Sequence, residues 1–254
     1  MKPRSIRYRK DLTALGRETK MDTFWFIAFP YLALVLAIGV GIYRYYTNRY
    51  SYSSLSSQLL ENRKLFWGSV PWHYGITLIL LAHLFAGLFP SAAGWILGGR
   101  IRLLVLELTG IALALFALFG LIVLIIRRLP MNSLARRVTS YMDGILLGFF
   151  LIQVVTGLGI AVFERWGSLW YLKTAVPWFW SLVKFHPEMS TVATLPGFVK
   201  VHFVIGFALI LLFPFTRLVH LIMFPIYYLW RPYQVVIWNR RRRPAAAQSM
   251  ETTK

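Results

Sequence analysis

The sequence contains five long apolar runs separated by shorter polar and basic segments. The runs lie at residues 24–43, 70–90, 102–126, 144–163 and 201–223. About 20 helical residues, at ~1.5 Å each, cross a hydrocarbon core of roughly 30 Å, so each run is long enough to span a membrane. Because the hydrocarbon interior offers backbone groups no water, each run is expected to be an α-helix. The pattern predicts an all-α integral membrane bundle of five transmembrane helices.

Composition and charge agree with this class of protein. Hydrophobic residues make up 57% of the chain and charged residues only 15%, yet the formal net charge is +19. The basic residues flank the apolar runs instead of forming one stripe, which disfavours a nucleic-acid partner. The absence of cysteine excludes disulfides, cysteine-ligated clusters and covalently attached c-type haem within this chain. We expect three segments, which are a basic N-terminal arm (1–22), a five-helix domain (23–230) and a basic C-terminal tail (231–254).

The basic residues also predict an orientation. Because the number of spans is odd, the two termini lie on opposite sides of the membrane. Without the arm, the side of the C-terminus holds 15 Lys and Arg residues and the other side holds 6. The arm from Lys2 to Lys20 adds seven to the smaller count and weakens the bias. The positive-inside rule, applied to the loops, favours an outer N-terminus and a cytoplasmic C-terminus.

Four of the five histidines lie in the second and fifth runs, where ionisable residues are functional candidates. His73 and His83 are separated by a helical rise of about 15 Å, and His202 and His220 by about 27 Å. The second and fifth spans run in opposite directions, so the start of one lies on the same side as the end of the other. This pairs His73 with His220, called here the first pair, and His83 with His202, called here the second pair.

Two imidazole pairs at two depths suit two stacked b-type haems, because six-coordinate haem iron takes one axial nitrogen from each face. Pro214 is expected to kink the fifth span between its two histidines. The alternative interpretation is that these histidines form hydrogen bonds between helices or at the interface.

Several stretches then carry a specific resemblance. They are FPYLALVLAIGVGIYRYY, SSQLLENRK, PWHYGITLILLAHLFAGLFP and VHFVIGFALILLFPFTRLVHLIMFPIYYL followed by YQVV. Together they resemble the γ subunit of respiratory nitrate reductase, a five-helix dihaem cytochrome b. The resemblance implies two haem b groups, with the first pair nearer an iron–sulfur subunit on the cytoplasmic side and the second pair near an outer quinol site. It covers nearly everything from residue 24 to about 240, and the arm lies outside it.

The quinol site departs from the family pattern. The family has a lysine at the start of the third helix, where this sequence reads GGRIRLLVLE. Arg100 or Arg102 could supply the positive charge, although a guanidinium is a poor proton acceptor. An equally weighted alternative is that both arginines anchor the helix at the interface. Glu107 is a candidate proton carrier, and pairing with an arginine is at least as well supported.

Four further features have simpler interpretations. Arg217 lies one turn before His220 and is a candidate partner for a haem propionate, or else a snorkelling interfacial residue. Asp143 is expected to be a helix-start residue. His186 lies outside the runs and is expected to be solvated or structural. The run Arg240–Arg243 most simply marks a cytoplasmic end, and docking to an acidic partner surface is the alternative.

These features together predict a membrane anchor and electron conduit in a prokaryotic cell (inner) membrane, embedded in membrane lipid. Quinol from the quinone pool would be oxidised near the second pair, and electrons would leave from the first pair to an iron–sulfur subunit. The resemblance implies that nitrate is reduced at a molybdenum cofactor in a third subunit. One alternative is the same type of subunit in a nitrite oxidoreductase or sulfur-metabolism complex. Another is a haem-free transporter or assembly factor.

Overall fold

The computed structural model describes residues 21–47, 62–129, 139–164 and 167–221. Five helices in this part of the chain are long and apolar enough to cross a membrane, which confirms the predicted class. We number them spans 1 to 5, and they are Met21–Thr47, Leu65–Leu88, Arg100–Ile126, Tyr141–Phe163 and Gly197–Phe215. The described residues contain no strand. Most of the predicted arm, the end of the five-helix domain and the tail with Arg240–Arg243 lie outside the described residues.

Short helical elements complete the chain between and within the spans. Span 1 contains a π-helical turn followed by an α-helix, and the helix of span 2 starts before the apolar run. The elements are Phe24–Ala28 (π), Phe29–Thr47, Asn62–Leu88, Pro90–Leu97, Arg100–Ile126, Tyr141–Phe163, Gly167–Trp170, Tyr171–Ala175 (π), Val176–Val183, Ser190–Ala193 and Gly197–Leu212. Residues 164–196, called here the 4–5 connection, are therefore largely helical.

The helix boundaries differ from the apolar runs because polar residues extend the helices beyond the hydrocarbon. Span 4 begins at Tyr141, three residues before its apolar run, because Ser140 and Asp143 form a reciprocal capping box. The Asp143 carboxylate accepts from the Ser140 amide at 2.9 Å. Asp143 is thus a helix-start residue, as predicted.

Span 5 changes its helix type at Pro214, which confirms the predicted interruption and makes it sharper than a kink. The α-helix ends at Leu212, and two 3₁₀ segments follow at Phe213–Phe215 and Arg217–Leu221. Proline lacks the backbone N–H that an α-helix needs and clashes with the preceding turn. Its carbonyl accepts a hydrogen bond from Arg44 at the end of span 1. His220 therefore lies on a 3₁₀ turn, and ideal α-helical phase does not relate it to His202.

Spans 2 and 3 approach each other closely through glycine. A Cβ on Gly120 would lie 2.4 Å from the backbone nitrogen of Trp72, and one on Gly75 would lie 2.8 Å from the Leu113 carbonyl oxygen. Small residues allow such backbone approach between membrane helices. Because Trp72 precedes His73, this contact fixes the register of the span that carries the first histidine of each pair.

Two buried clusters hold the remaining elements. One joins spans 2, 3 and 4 around Trp72, Leu121 and Val154. The other joins span 1, the 4–5 connection and span 5 around Phe26 and Trp178. Many large apolar side chains on the spans are exposed in the isolated chain, as expected for surfaces that face lipid.

Candidate functional site

His73 and His220 lie together at one end of the bundle. Their ring centres are 6.2 Å apart and the ring planes are inclined at 70°. His73 is in the second span and His220 is on the 3₁₀ turn that follows Pro214. The structure therefore places close together the two histidines that the sequence analysis paired from the opposite directions of spans 2 and 5.

Both rings of the first pair are oriented through Nδ1. His73 Nδ1–H donates to the Ser69 carbonyl oxygen at 2.7 Å, and the Ser69 hydroxyl lies at 3.1 Å. His220 Nδ1–H donates to the Arg217 carbonyl oxygen. A neutral imidazole protonated on Nδ1 carries its lone pair on Nε2, and this pattern is common for metal-binding histidines. Each ring thus presents Nε2 as an available ligand.

The second pair lies beside the 4–5 connection. His83 Nδ1–H donates to the Ile79 carbonyl oxygen at 2.8 Å, which again leaves Nε2 as the acceptor. The Tyr171 ring contacts His83 with ring centres 5.0 Å apart, and its hydroxyl donates to the His83 carbonyl oxygen at 3.0 Å. Burial raises the pKa of the Tyr171 phenol above its ordinary value. Trp170, the neighbour of Tyr171, packs on Phe203 next to His202. One short segment therefore borders both spans of the second pair.

Two polar side chains of span 4 hold the His202 ring. The Thr156 hydroxyl donates to the Ile152 carbonyl oxygen at 2.7 Å and accepts from His202 Nδ1–H at 3.0 Å. The Gln153 amide nitrogen lies 3.2 Å from His202 Nε2, while its amide oxygen is buried without a partner. A Cβ on Gly157 would lie 2.9 Å from the His202 ring, so only glycine leaves space for the imidazole there.

The geometry of the first pair fits a bis-histidine haem. Iron–nitrogen bonds are about 2 Å long and each nitrogen lies about 1 Å from its ring centre, so two axial imidazoles require centres roughly 6 Å apart. The observed 6.2 Å meets that requirement, and axial ligation does not fix the angle between the ring planes. The described residues contain no group of three or more His, Cys, Asp or Glu that could hold a metal. Iron at either pair would therefore take its other ligands from a cofactor.

The His202 ring of the second pair would need one local change before it could hold the same group. The ring of His202 rests on Gly157 and its Nδ1 is anchored by Thr156, so the imidazole is already oriented. The Gln153 amide must leave Nε2 before iron can bind there. The buried Gln153 amide oxygen has no hydrogen-bond partner, so no second bond holds this side chain in its present position.

The two arginines at the start of span 3 have different surroundings. Arg102 donates to the Trp95 and Ile96 carbonyl oxygens at 2.9 and 3.0 Å, and its guanidinium lies 4.8 Å from the centre of the Trp95 ring. It therefore caps the preceding short helix. Arg100 is exposed, and its side chain has no hydrogen bond or ion pair within the described residues.

Three other candidates have well-defined places. Glu107 accepts from the Ser168 backbone N–H at 2.8 Å, and within the described residues it forms no ion pair with an arginine. Arg217 forms an ion pair with Asp143 at 2.9 Å. His186 is exposed outside the spans, which confirms its structural or solvated interpretation.

Sequence reasoning missed Gln153, Thr156 and Tyr171. The first two gave a detectable signal, because they are polar side chains within an apolar span, and such residues usually face the bundle interior. Tyr171 gave none, since tyrosine is common in connections at a membrane surface.

Comparison with known proteins gives consistent matches. The family model described as nitrate reductase gamma subunit matches residues 22–239. The chain is 34% identical over 216 residues to the nitrate reductase gamma chain of Bacillus subtilis (strain 168), covering 84% of this chain and 95% of that relative. It is 32% identical over 220 residues to the respiratory nitrate reductase 2 gamma chain of Escherichia coli (strain K12), covering 85% and 96%. It is also 29% identical over 254 residues to the nitrate reductase-like protein NarX of Mycobacterium tuberculosis (strain ATCC 25618 / H37Rv), covering 94% of this chain but 38% of that longer protein.

Proposed function

Because this chain belongs to the nitrate reductase gamma subunit family and is a membrane subunit of a nitrate reductase, we propose that it is a dihaem cytochrome b that oxidises quinol. Electrons would pass to an iron–sulfur subunit and then to a molybdenum-containing catalytic subunit of the same complex. The observation that carries the proposal is the 6.2 Å separation of the His73 and His220 rings, both anchored through Nδ1.

The four histidines would hold two haem b groups, one at each pair. Bound haem would supply one-electron carriers at two depths, so that the two electrons of a quinol can leave singly. Neutral imidazoles add no charge to the apolar interior. The Nδ1 protons of His73, His83 and His220 go to backbone carbonyl oxygens three or four residues earlier in the chain. That of His202 goes to the Thr156 hydroxyl, so in every ring Nε2 is left as the acceptor nitrogen.

Arg100 is the preferred candidate for the positive group of the quinol site. Its side chain is exposed at the start of span 3, at the same end of the bundle as the second pair, whereas Arg102 is engaged by two carbonyl oxygens. A guanidinium can donate hydrogen bonds to a quinol oxygen but does not accept its protons. The two protons released on oxidation would therefore pass to water or to another group, and Glu107 is retained as a candidate.

The end of the bundle that carries the first pair is proposed to face the cytoplasm. Arg44, Arg127, Arg128 and Arg217 all belong to this end, and Asp143 is the acidic residue among the described part there. Such an excess of basic residues is typical of the cytoplasmic side. A reporter active only in the cytoplasm, fused after Lys254, should be active. An inactive C-terminal fusion together with an active N-terminal one would reverse the proposed orientation.

The experiment for quinol oxidation is reduction of the purified complex by a quinol under anaerobic conditions, followed optically. We expect haem b bands to develop with quinol alone, and the second-pair histidine variants to lose this reduction. A complex that contains haem b but is reduced only by dithionite would contradict quinol oxidation. A chain without haem b would favour the haem-free transporter or assembly factor.

A further inference from the structure

Two aromatic side chains of the 4–5 connection donate hydrogen bonds to the last two turns of span 2. The Tyr171 hydroxyl donates to the His83 carbonyl oxygen at 3.0 Å, and the Trp180 indole N–H donates to the Gly87 carbonyl oxygen at 2.9 Å. Gly87 is next to the last residue of its helix, so its carbonyl oxygen has no helical donor. The connection thus supplies donors at the end of the span that carries His83.

Tyr171 is the residue of this segment that also contacts the His83 side chain. The two rings have centres 5.0 Å apart and an interplanar angle of 70°, which is an edge-to-face contact. The imidazole is bonded to Ile79 through Nδ1, and the phenol ring packs against it. Together these contacts restrict rotation of the imidazole about its bond to Cβ.

Tyr171 is itself held from span 3 and from the helix before it. Glu107 of span 3 accepts from the Ser168 N–H at 2.8 Å, three residues before Tyr171. Leu172 packs near Gly94, where an added Cβ would lie 3.6 Å from its side chain. The position of the phenol ring is therefore fixed by contacts on either side of it along the chain.

The first pair has a different environment. There the His73 and His220 rings contact each other, and their Nδ1 partners are Ser69 and Arg217. No aromatic ring of the 4–5 connection contacts either ring among the described residues. An effect of Tyr171 should consequently be confined to the second pair.

We propose that Tyr171 is a positioning residue of the second pair, which fixes the plane of the His83 imidazole. This inference rests on the proposed function. The partners that surround a metal-binding histidine set the orientation of its ring and so tune the bound metal. The low-spin EPR signal of a haem held by His83 would report the orientation of that imidazole. Glu107 acts indirectly, by holding the segment that presents Tyr171.

The test is a redox titration with low-temperature EPR on the whole complex in membranes. The variants are Tyr171→Leu, which removes both ring and hydroxyl, and Tyr171→Phe, which keeps the ring but removes the donor to the His83 carbonyl. Tyr141→Leu is the matched control, because Tyr141 is 96% exposed at the other end of the bundle. The second-pair haem is identified as the component lost in His83→Ala.

We expect Tyr171→Leu to broaden and shift the low-spin EPR signal of the second-pair haem. Tyr171→Phe should change that signal by less, because the ring that contacts His83 remains, and the first-pair haem should keep its signal in every variant. A Tyr171→Leu complex with the wild-type EPR signal would overturn the inference. Equal changes of both haem signals would overturn it as well. Absence of haem b from the wild-type complex would instead refute the proposed function, and the inference with it.

Discussion

His73 and His220 lie side by side with ring centres 6.2 Å apart, although one lies in an α-helix and the other on a 3₁₀ turn. The turn exists because Pro214 ends the α-helix of span 5. The position of His220 thus depends on an interruption of the span as well as on its place along the sequence.

Replacing Pro214 should selectively disturb the first pair. In Pro214→Ala the α-helix can continue, which changes the rise per residue from about 2.0 to about 1.5 Å and the rotation per residue as well. His220 would then move away from His73. We expect loss of most of the first-pair haem, measured as the amplitude of its component in a redox titration, with the second-pair haem retained.

The control for this change is Pro187→Ala, in the 4–5 connection at the opposite end of the bundle from the first pair. If Pro214→Ala keeps both haem components at wild-type amplitude, the 3₁₀ turn is not what positions His220.

Thr156 should determine how firmly His202 is held. Thr156→Val keeps the shape of the side chain but removes the acceptor for the His202 Nδ1 proton. Loss of such an outer hydrogen bond typically weakens metal binding by 10- to 100-fold, so we expect about tenfold weaker retention of the second-pair haem. Haem loss during detergent washing, followed by absorbance, measures this.

Thr109→Val provides a matched control, because Thr109 makes the same type of bond to the preceding turn, at 2.7 Å to the Val105 carbonyl oxygen. Equal haem retention in the Thr156 and Thr109 variants would show that the bond to His202 is dispensable.

Replacing each of the two arginines at the start of span 3 should have a different effect on the complex. Arg100→Ala is expected to slow reduction of the haems by quinol several-fold without changing either haem spectrum, because its side chain is free to contact the quinol. Arg102→Ala removes donors from two carbonyl oxygens of the short helix and should lower thermal stability. Stopped-flow reduction and thermal unfolding measure the two effects. An Arg100→Ala complex that is reduced at the wild-type rate would leave Arg100 only an anchoring role.

The Asp143–Arg217 ion pair should stabilise the end of the bundle that carries the first pair. Only 10% of the Asp143 side chain is exposed, and the Arg217 backbone carbonyl receives the His220 Nδ1 proton. Asp143→Asn keeps a polar capping side chain but removes the charge. We expect a loss of about 1–3 kcal/mol of stability, as for a buried charged group that loses its partner, and weaker retention of the first-pair haem. Thermal unfolding in detergent checks the first effect, and an unchanged midpoint temperature would contradict it.

Much of this architecture could be predicted from sequence because bilayer thickness constrains it strongly. Run length defined the five spans, and the alternating direction of the spans was enough to pair His73 with His220. Chain direction and approximate depth are sufficient for such a pairing, which needs no knowledge of side-chain packing.

The remaining details depend on contacts between segments that hydropathy does not report. The contact of Gln153 and Thr156 with His202 requires the rotational register of spans 4 and 5, which follows from packing around Gly157. The role of Arg102 depends on a short helix at Pro90–Leu97, which follows the second apolar run and which hydropathy did not predict. The ion pair of Asp143 with Arg217 joins residues that only the folded bundle brings together.

The central claim is that the four histidines form two haem sites, paired as His73 with His220 and His83 with His202. An optical redox titration of haem b in membranes carrying each single His→Ala variant tests it most directly. The account predicts two components in the wild type, loss of one and the same component in His73→Ala and His220→Ala, and loss of the other in His83→Ala and His202→Ala. Wild-type membranes with a single component, or losses that group His73 with His83, would contradict it.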